Sequence, residues 1–175
     1  HNPPEYNGYK VYGPDGGQLV PDDARKVTEQ IARVTSFAQV RKLPRQEAEA
    51  KRLLRWIGDE IDRKYIDAVT AISPNAPLIA QMKEPLRIVY TPLHGAGNHA
   101  VRRALKQAGF AQVTVVPEQE RPDSEFSTVK SPNPEEREAF TLALKWAEQL
   151  GVDIVIGTDP DCDRMGAVVR DSSGR

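Results

Sequence analysis

Hydrophobic positions change their spacing about halfway along the chain. In the first half they recur three and four residues apart. Val27, Ile31 and Val34 follow Pro21-Asp22-Asp23 in this way, which predicts an amphipathic helix opened by the proline. Ile61, Tyr65, Ile66, Val69 and Ile72 repeat the pattern and predict a second helix, capped by Asp59 and stopped by Ser73-Pro74-Asn75-Ala76-Pro77. Residues 35–44 read as a linker. A charged helical stretch from about Arg45 is expected to pause at Gly58-Asp59. At the N-terminal end, Tyr9-Lys10-Val11-Tyr12 alternates as a short strand between the turn signals Asn7-Gly8 and Gly13-Pro14-Asp15-Gly16-Gly17.

From residue 86 onward the spacing shifts to strand-then-helix units. Leu86 to Thr91 predicts a strand, His99 to Gly109 a helix ended by its glycine, and Val113 to Val116 the next strand. A long loop over 117–133 leads to an expected helix from Pro134 to Leu150, with Asn133 as its cap. Asp153 to Gly157 is almost continuously apolar, as a parallel strand buried on both faces must be. Met165 to Arg170 predicts a fourth strand. It is reached by too few residues for a crossover, so it is expected to pair antiparallel. The predicted fold class is α/β, a three-layer α/β/α mixed sheet. Trp56, Trp146 and Phe140 are expected in the core.

Composition narrows the function classes. Of 175 residues, 39% are hydrophobic and 28% charged, and the formal net charge is −1. No cluster of Lys and Arg forms a phosphate-tracking stripe, which argues against nucleic acid as a main partner. No apolar run approaches the ~20 residues of a membrane span. One cysteine, Cys162, cannot make an internal disulfide, which fits a cytoplasmic protein. The chain opens on His1-Asn2-Pro3-Pro4 and closes on Ser172-Ser173-Gly174-Arg175, so it reads as a piece of a longer protein.

The chemistry concentrates in Asp159-Pro160-Asp161-Cys162-Asp163-Arg164, directly after the strand ending at Gly157. Ligands of open α/β sheets bind beyond the carboxyl ends of strands. Alternating side chains of an extended loop can converge Asp159, Asp161 and Asp163 on one hard cation, and Arg164 beside them can hold a phosphate bidentately. Three carboxylates so close would otherwise repel one another. The same residues also suit a polar turn whose aspartates cap backbone amides. An EF-hand is a poor match, because Arg170 stands where the twelfth-position Glu belongs and a strand leads in. A haloacid-dehalogenase-like phosphatase, which also places D-x-D after a strand, stays open. Cys162 lies among oxygen donors suited to magnesium and is read as a spectator thiol.

Four segments in order resemble the α-D-phosphohexomutases, the family of phosphoglucomutases and phosphomannomutases. His1-Asn2-Pro3-Pro4-Glu5-Tyr6-Asn7-Gly8-Tyr9-Lys10 resembles the active-site loop. Gly157 to Arg164 resembles the metal loop. Tyr90-Thr91-Pro92-Leu93-His94-Gly95-Ala96-Gly97 and Phe126 to Glu135 resemble two segments of the second domain. His94 to Gly97 on its own reads equally as an anion site at a helix start or as a tight turn needing small residues.

The resemblance implies a layout and a mechanism. Residues 1–35 would end domain 1, 36–84 would be a helical connection, and 85–175 would form domain 2. The sugar-binding domains and the phosphoserine, immediately before His1, would lie outside this sequence. Such enzymes interconvert hexose 1-phosphates and 6-phosphates through that phosphoserine and a hexose 1,6-bisphosphate, which also acts as activator. Asp159, Asp161 and Asp163 would hold Mg²⁺, Arg164 would grip the phosphoryl group, Lys10 would transfer a proton, and His1 would adjoin the phosphoserine. Phosphoglucomutase is the favoured activity, with phosphomannomutase and phosphoglucosamine mutase as alternatives. A magnesium-binding module without catalysis of its own is the alternative of another class. The expected partners are hexose phosphates and the remaining domains of the same chain.

Overall fold

The computed structural model describes residues 10–82 and 84–171, and the chain divides at Ile57–Gly58 into two compact units. In the first, helix α1 spans Pro21–Ala32 with its proline in the first turn, as the sequence predicts. The expected strand around Lys10–Tyr12 is reduced to one antiparallel bridge, Tyr12 to Gln18, and Tyr9 lies outside the described residues. The turn between them is glycine-dependent: Gly16 takes φ +77°, and its amide donates to the Gly13 carbonyl at 3.0 Å.

Helix α2 covers only Arg45–Ala50, well short of the expected pause at Gly58. Arg52 sits at φ +56°, the Leu53 amide donates to Ala48 at 2.8 Å and the Arg52 amide to Glu49 at 3.0 Å. That is a Schellman ending with arginine in glycine's place, so the sequence carries no stop signal there. Trp56 is not core. It is 66% exposed, its indole N–H bonds Glu49 at 2.9 Å, and Arg45 stacks 4.8 Å over its ring.

The second unit opens with α3, Gly58–Ala71, which starts one residue before the expected Asp59 cap and buries Ile66. A short helix α4, Ala76–Gln81, follows in place of a simple stop. The proline at its start, read as a terminator, is instead compatible with a first helical turn.

Strand β1 (Arg87–Thr91), helix α5 (Gly97–Gln107), strand β2 (Gln112–Val115), helix α6 (Thr141–Leu150), strand β3 (Ile154–Thr158) and strand β4 (Met165–Val169) complete the unit. The sheet order is β2-β1-β3-β4. β1 pairs parallel with both β2 and β3, and β4 pairs antiparallel with β3, as its short connection requires. β1 to β2 steps one way across the sheet and β2 to β3 steps back the other. Right-handed crossovers therefore put α5 and α6 on opposite faces, which gives the three layers.

On the α6 face, Val89, Val116, Phe140, Ala143, Val152 and Val155 form the core, with Trp146 packed against it. Helix α6 begins at Thr141 rather than Pro134, preceded by a 3₁₀ turn over Arg137–Phe140. Asn133 caps only a turn, accepting from the Glu135 amide at 3.1 Å. That offset carries Phe140 onto the sheet, where its ring fills the space a Cβ at Gly157 or Gly166 would need.

Candidate metal centre

The strand order reverses between β1 and β3, so the crevice at their carboxyl ends is the topological switch point where such sheets take ligands. The acidic loop leaves β3 at that point. Thr158, the last residue of β3, is buried and shares a 2.8 Å hydrogen bond with the Tyr90 hydroxyl from β1. Burial pushes the Tyr90 phenol up to about 12.

Asp159 follows, 1% exposed. One of its carboxylate oxygens accepts from the Arg164 amide at 3.1 Å, and its carbonyl accepts from the Cys162 amide at 3.0 Å. Cys162 turns the loop at φ +64°. The result is a tight six-residue turn whose first carboxylate caps its own exit, so the polar-turn reading holds for one oxygen of Asp159. It does not exhaust the cluster. Asp161 and Asp163 are exposed, and one oxygen from each of Asp159, Asp161 and Asp163 lies within 4.8 Å of the others.

Three carboxylate oxygens and nothing softer make a donor set for a hard cation. Oxygens around an octahedral ion with ~2.1 Å bonds sit roughly 3 Å apart, so the cluster would tighten around a bound ion. The electrostatics point the same way. The Asp163 carboxyl is raised from its ordinary value, first by its hydrogen bond with Asp159, then by some loss of solvent around it and by the negative charges of Asp161 and Asp159. Arg164 opposes this from 3.8 Å to Asp159 and 3.9 Å to Asp163. Its side chain is 45% exposed, so the pairing is loosely held and of small energetic weight.

The loop rests on the turn after β1. Leu93 and His94 take φ +47° and +63°, and the Ala96 amide donates to the Pro160 carbonyl at 2.8 Å. Gly95 and Gly97 lie against Pro160 and Cys162. Close packing therefore requires small residues at these two positions, as the tight-turn reading expects.

A buried polar chain behind the turn escaped the sequence reading. Thr91 bonds Gln119 at 2.7 Å, Gln119 bonds Thr128 at 3.1 Å, and Thr128 bonds His94 Nε2 at 2.8 Å. His94 Nδ1 faces the Arg121 carbonyl at 2.8 Å and so must donate to it. Nε2 then accepts from the Thr128 hydroxyl, which accepts from the Gln119 amide, and every member is satisfied. No local motif marks this chain, because its members lie between 9 and 34 residues apart.

Lys10 is exposed and belongs to the first unit. His1 lies outside the described residues. Cys162 is a free, exposed thiol. Among the described residues, no helix is long and apolar enough to cross a membrane.

Comparisons with known proteins agree with this geometry. Residues 63–174 match the family described as phosphoglucomutase/phosphomannomutase, α/β/α domain II, and residues 1–38 match domain I of the same family. A phosphoglucomutase of Staphylococcus haemolyticus is 39% identical over all of this chain and 31% of its own length. A probable phosphomannomutase of Haemophilus influenzae is 36% identical over 99% of this chain and 34% of its own. The chain thus spans about a third of the length of these curated relatives. A solved phosphoglucomutase/phosphomannomutase family protein of Burkholderia thailandensis shares the fold at TM-score 0.50 and 18% identity, over 62% of this chain and 21% of that one.

Proposed function

The chain belongs to the phosphoglucomutase/phosphomannomutase family, and from that premise we propose that it is the metal-binding portion of a phosphohexomutase, with phosphoglucomutase as its activity. The observation that carries the reading is the convergence of Asp159, Asp161 and Asp163 at the carboxyl end of β3. The similarity to named phosphoglucomutases supports the glucose preference, and the 36% identity to a probable phosphomannomutase keeps mannose phosphates as the second reading. In this account residues 1–35 end domain I, 36–84 connect, and 85–175 belong to domain II.

Magnesium, when bound, supplies a Lewis acid that withdraws charge from a phosphoryl oxygen. The chain's own residues do the rest. Asp159, Asp161 and Asp163 each offer one oxygen and hold the ion at the switch point. Arg164 directs its guanidinium N–H groups at the phosphoryl group that approaches the loop. Lys10 takes the proton from a sugar hydroxyl as that oxygen bonds to phosphorus. The serine Oγ–P bond of a phosphoserine immediately before His1 breaks in the same step. Once the sugar has turned over, its other phosphoryl group moves to the serine and the proton is returned. By the family resemblance, His1 is the residue that adjoins that phosphoserine. Positioning and charge neutralisation dominate because the transition state is loose and anionic.

The test is a mutase assay on the full-length protein with glucose 1-phosphate and mannose 1-phosphate, primed with a trace of the hexose bisphosphate. Conversion to the 6-phosphate is expected, faster for glucose. No conversion of any hexose or aminosugar phosphate would end the proposal.

A further inference from the structure

Resting on the reading of 159–163 as a cation site, we propose that Gly95 and Gly97 position the acidic loop for its ion, by leaving the space that any side chain in the β1–α5 turn would take from it. Neither glycine has φ in the left-handed region, where the positive-φ glycines among the described residues are Gly16, Gly109 and Gly151. Their backbone conformation therefore does not call for glycine, and the demand is spatial. A Cβ on Gly95 would stand 2.5 Å from Pro160 Cα, 2.7 Å from the Pro160 carbonyl oxygen and 2.7 Å from that of Pro92. A Cβ on Gly97 would stand 2.6 Å from Cys162 Sγ, 3.0 Å from its Cβ and 3.3 Å from Thr158 Oγ1.

The register of these contacts gives them meaning. Pro160 separates the first and second carboxylates and Cys162 the second and third. Gly95 meets the one and Gly97 the other, while the amide between them, Ala96, bonds the Pro160 carbonyl at 2.8 Å. The even positions of the loop therefore sit on the turn and the odd positions carry the ligands. A Cβ at either seat forces a shift there, and that shift moves a ligand backbone on each side of it. Residues that orient metal ligands in this indirect way typically cost 10–100-fold in metal affinity when altered.

The two seats differ in what they touch, and that supplies the discriminating experiment. Gly95 faces backbone, which cannot retreat, whereas the nearest neighbour of Gly97 is a side chain that can be removed. Mg²⁺ affinity is measured by calorimetry on the full-length protein, with thermal unfolding in EDTA alongside. The variants are Gly95→Ala, Gly97→Ala, Cys162→Gly and Gly97→Ala with Cys162→Gly.

Gly97→Ala should weaken Mg²⁺ about 10–100-fold with little change in the EDTA melting temperature. In the Cys162→Gly background the same change should be nearly silent. Gly95→Ala should lose affinity in either background. Should Gly97→Ala alone fail to fold, its comparison within the Cys162→Gly background still decides the matter. An equal loss of affinity there, or a lower melting temperature with affinity intact, would overturn the positioning role. Absence of Mg²⁺ binding by the unaltered protein would instead overturn the cation reading on which it rests.

Discussion

The amide of Ala96 donates to the carbonyl of Pro160 at 2.8 Å, and this bond ties the turn after β1 to the acidic loop after β3. It bridges the carboxyl ends of β1 and β3, between which the strand order reverses, at the loop that carries Asp159, Asp161 and Asp163. Below it, Tyr90 and Thr158 link the same two strands through their hydroxyls at 2.8 Å. The site is thus fixed twice, once by backbone and once by side chain.

The three carboxylates should respond differently to neutralisation. Asp161→Asn removes an exposed ligand and is expected to abolish measurable Mg²⁺ binding while leaving the EDTA melting temperature within a degree or two. Asp159→Asn also weakens the bond that accepts the Arg164 amide, so a loss of about 1–2 kcal/mol is expected in addition. Asp163→Asn relieves like-charge crowding and should leave the metal-free protein at least as stable as before. Chemical denaturation in EDTA and calorimetry with Mg²⁺ separate these cases. Equal losses of stability at all three positions would contradict the assignment.

Tyr90 predicts an alkaline limit. Its folded pKa, about 12, lies above the unfolded value near 10, so the folded state binds the extra proton between them. That contribution is complete below pH 10 and disappears as pH rises toward 12. Melting temperatures should fall across this window, and Tyr90→Phe should flatten that fall while costing about 1 kcal/mol at neutral pH. Unchanged slopes in Tyr90→Phe would place the titration elsewhere.

Asp123 predicts the opposite behaviour. The Ser127 hydroxyl and amide, with the Glu125 amide, hold its carboxyl at about 2. A depressed folded pKa gives stability that is complete above about pH 4 and is lost as pH falls through 2. Carboxyl chemical shifts should report that low midpoint, and Ser127→Ala should raise it. A midpoint near 4 in the unaltered protein would rule the loop geometry out.

Phe140 is expected to be the most costly single truncation on the α6 face. Its ring is 4% exposed and fills the spaces beside Gly157 and Gly166. Phe140→Ala should destabilise by about 3–5 kcal/mol, measured by denaturant unfolding in EDTA, and a loss under 1 kcal/mol would show that the wedge is not tight.

Much of this was legible in the sequence, and the parts that were not share a cause. The nearly continuous apolar run of β3 marks a central parallel strand, and the brevity of 159–164 makes β4 antiparallel. Their signals are local. The end of α2 was not legible, because Arg52 adopts the left-handed conformation without being glycine. The start of α6 carries no local signal, because the 3₁₀ turn over Arg137–Phe140 is shaped by packing on Gly157 and Gly166, not by a cap. Trp56 has the residue type of a core position, yet Glu49 and Arg45 hold it on an exposed surface. For the site, the acidic loop was readable from spacing alone. The glycines of 95–97 were ambiguous until the loop they face was in place, and His94, Gln119 and Thr128 meet only through the fold.

The most direct measurement is a crystal structure of the full-length protein soaked with Mn²⁺, examined for anomalous scattering. The account predicts one strong peak, about 2.1 Å from one oxygen each of Asp159, Asp161 and Asp163. At saturating Mn²⁺, a peak bound elsewhere, or no peak between these carboxylates, would contradict it.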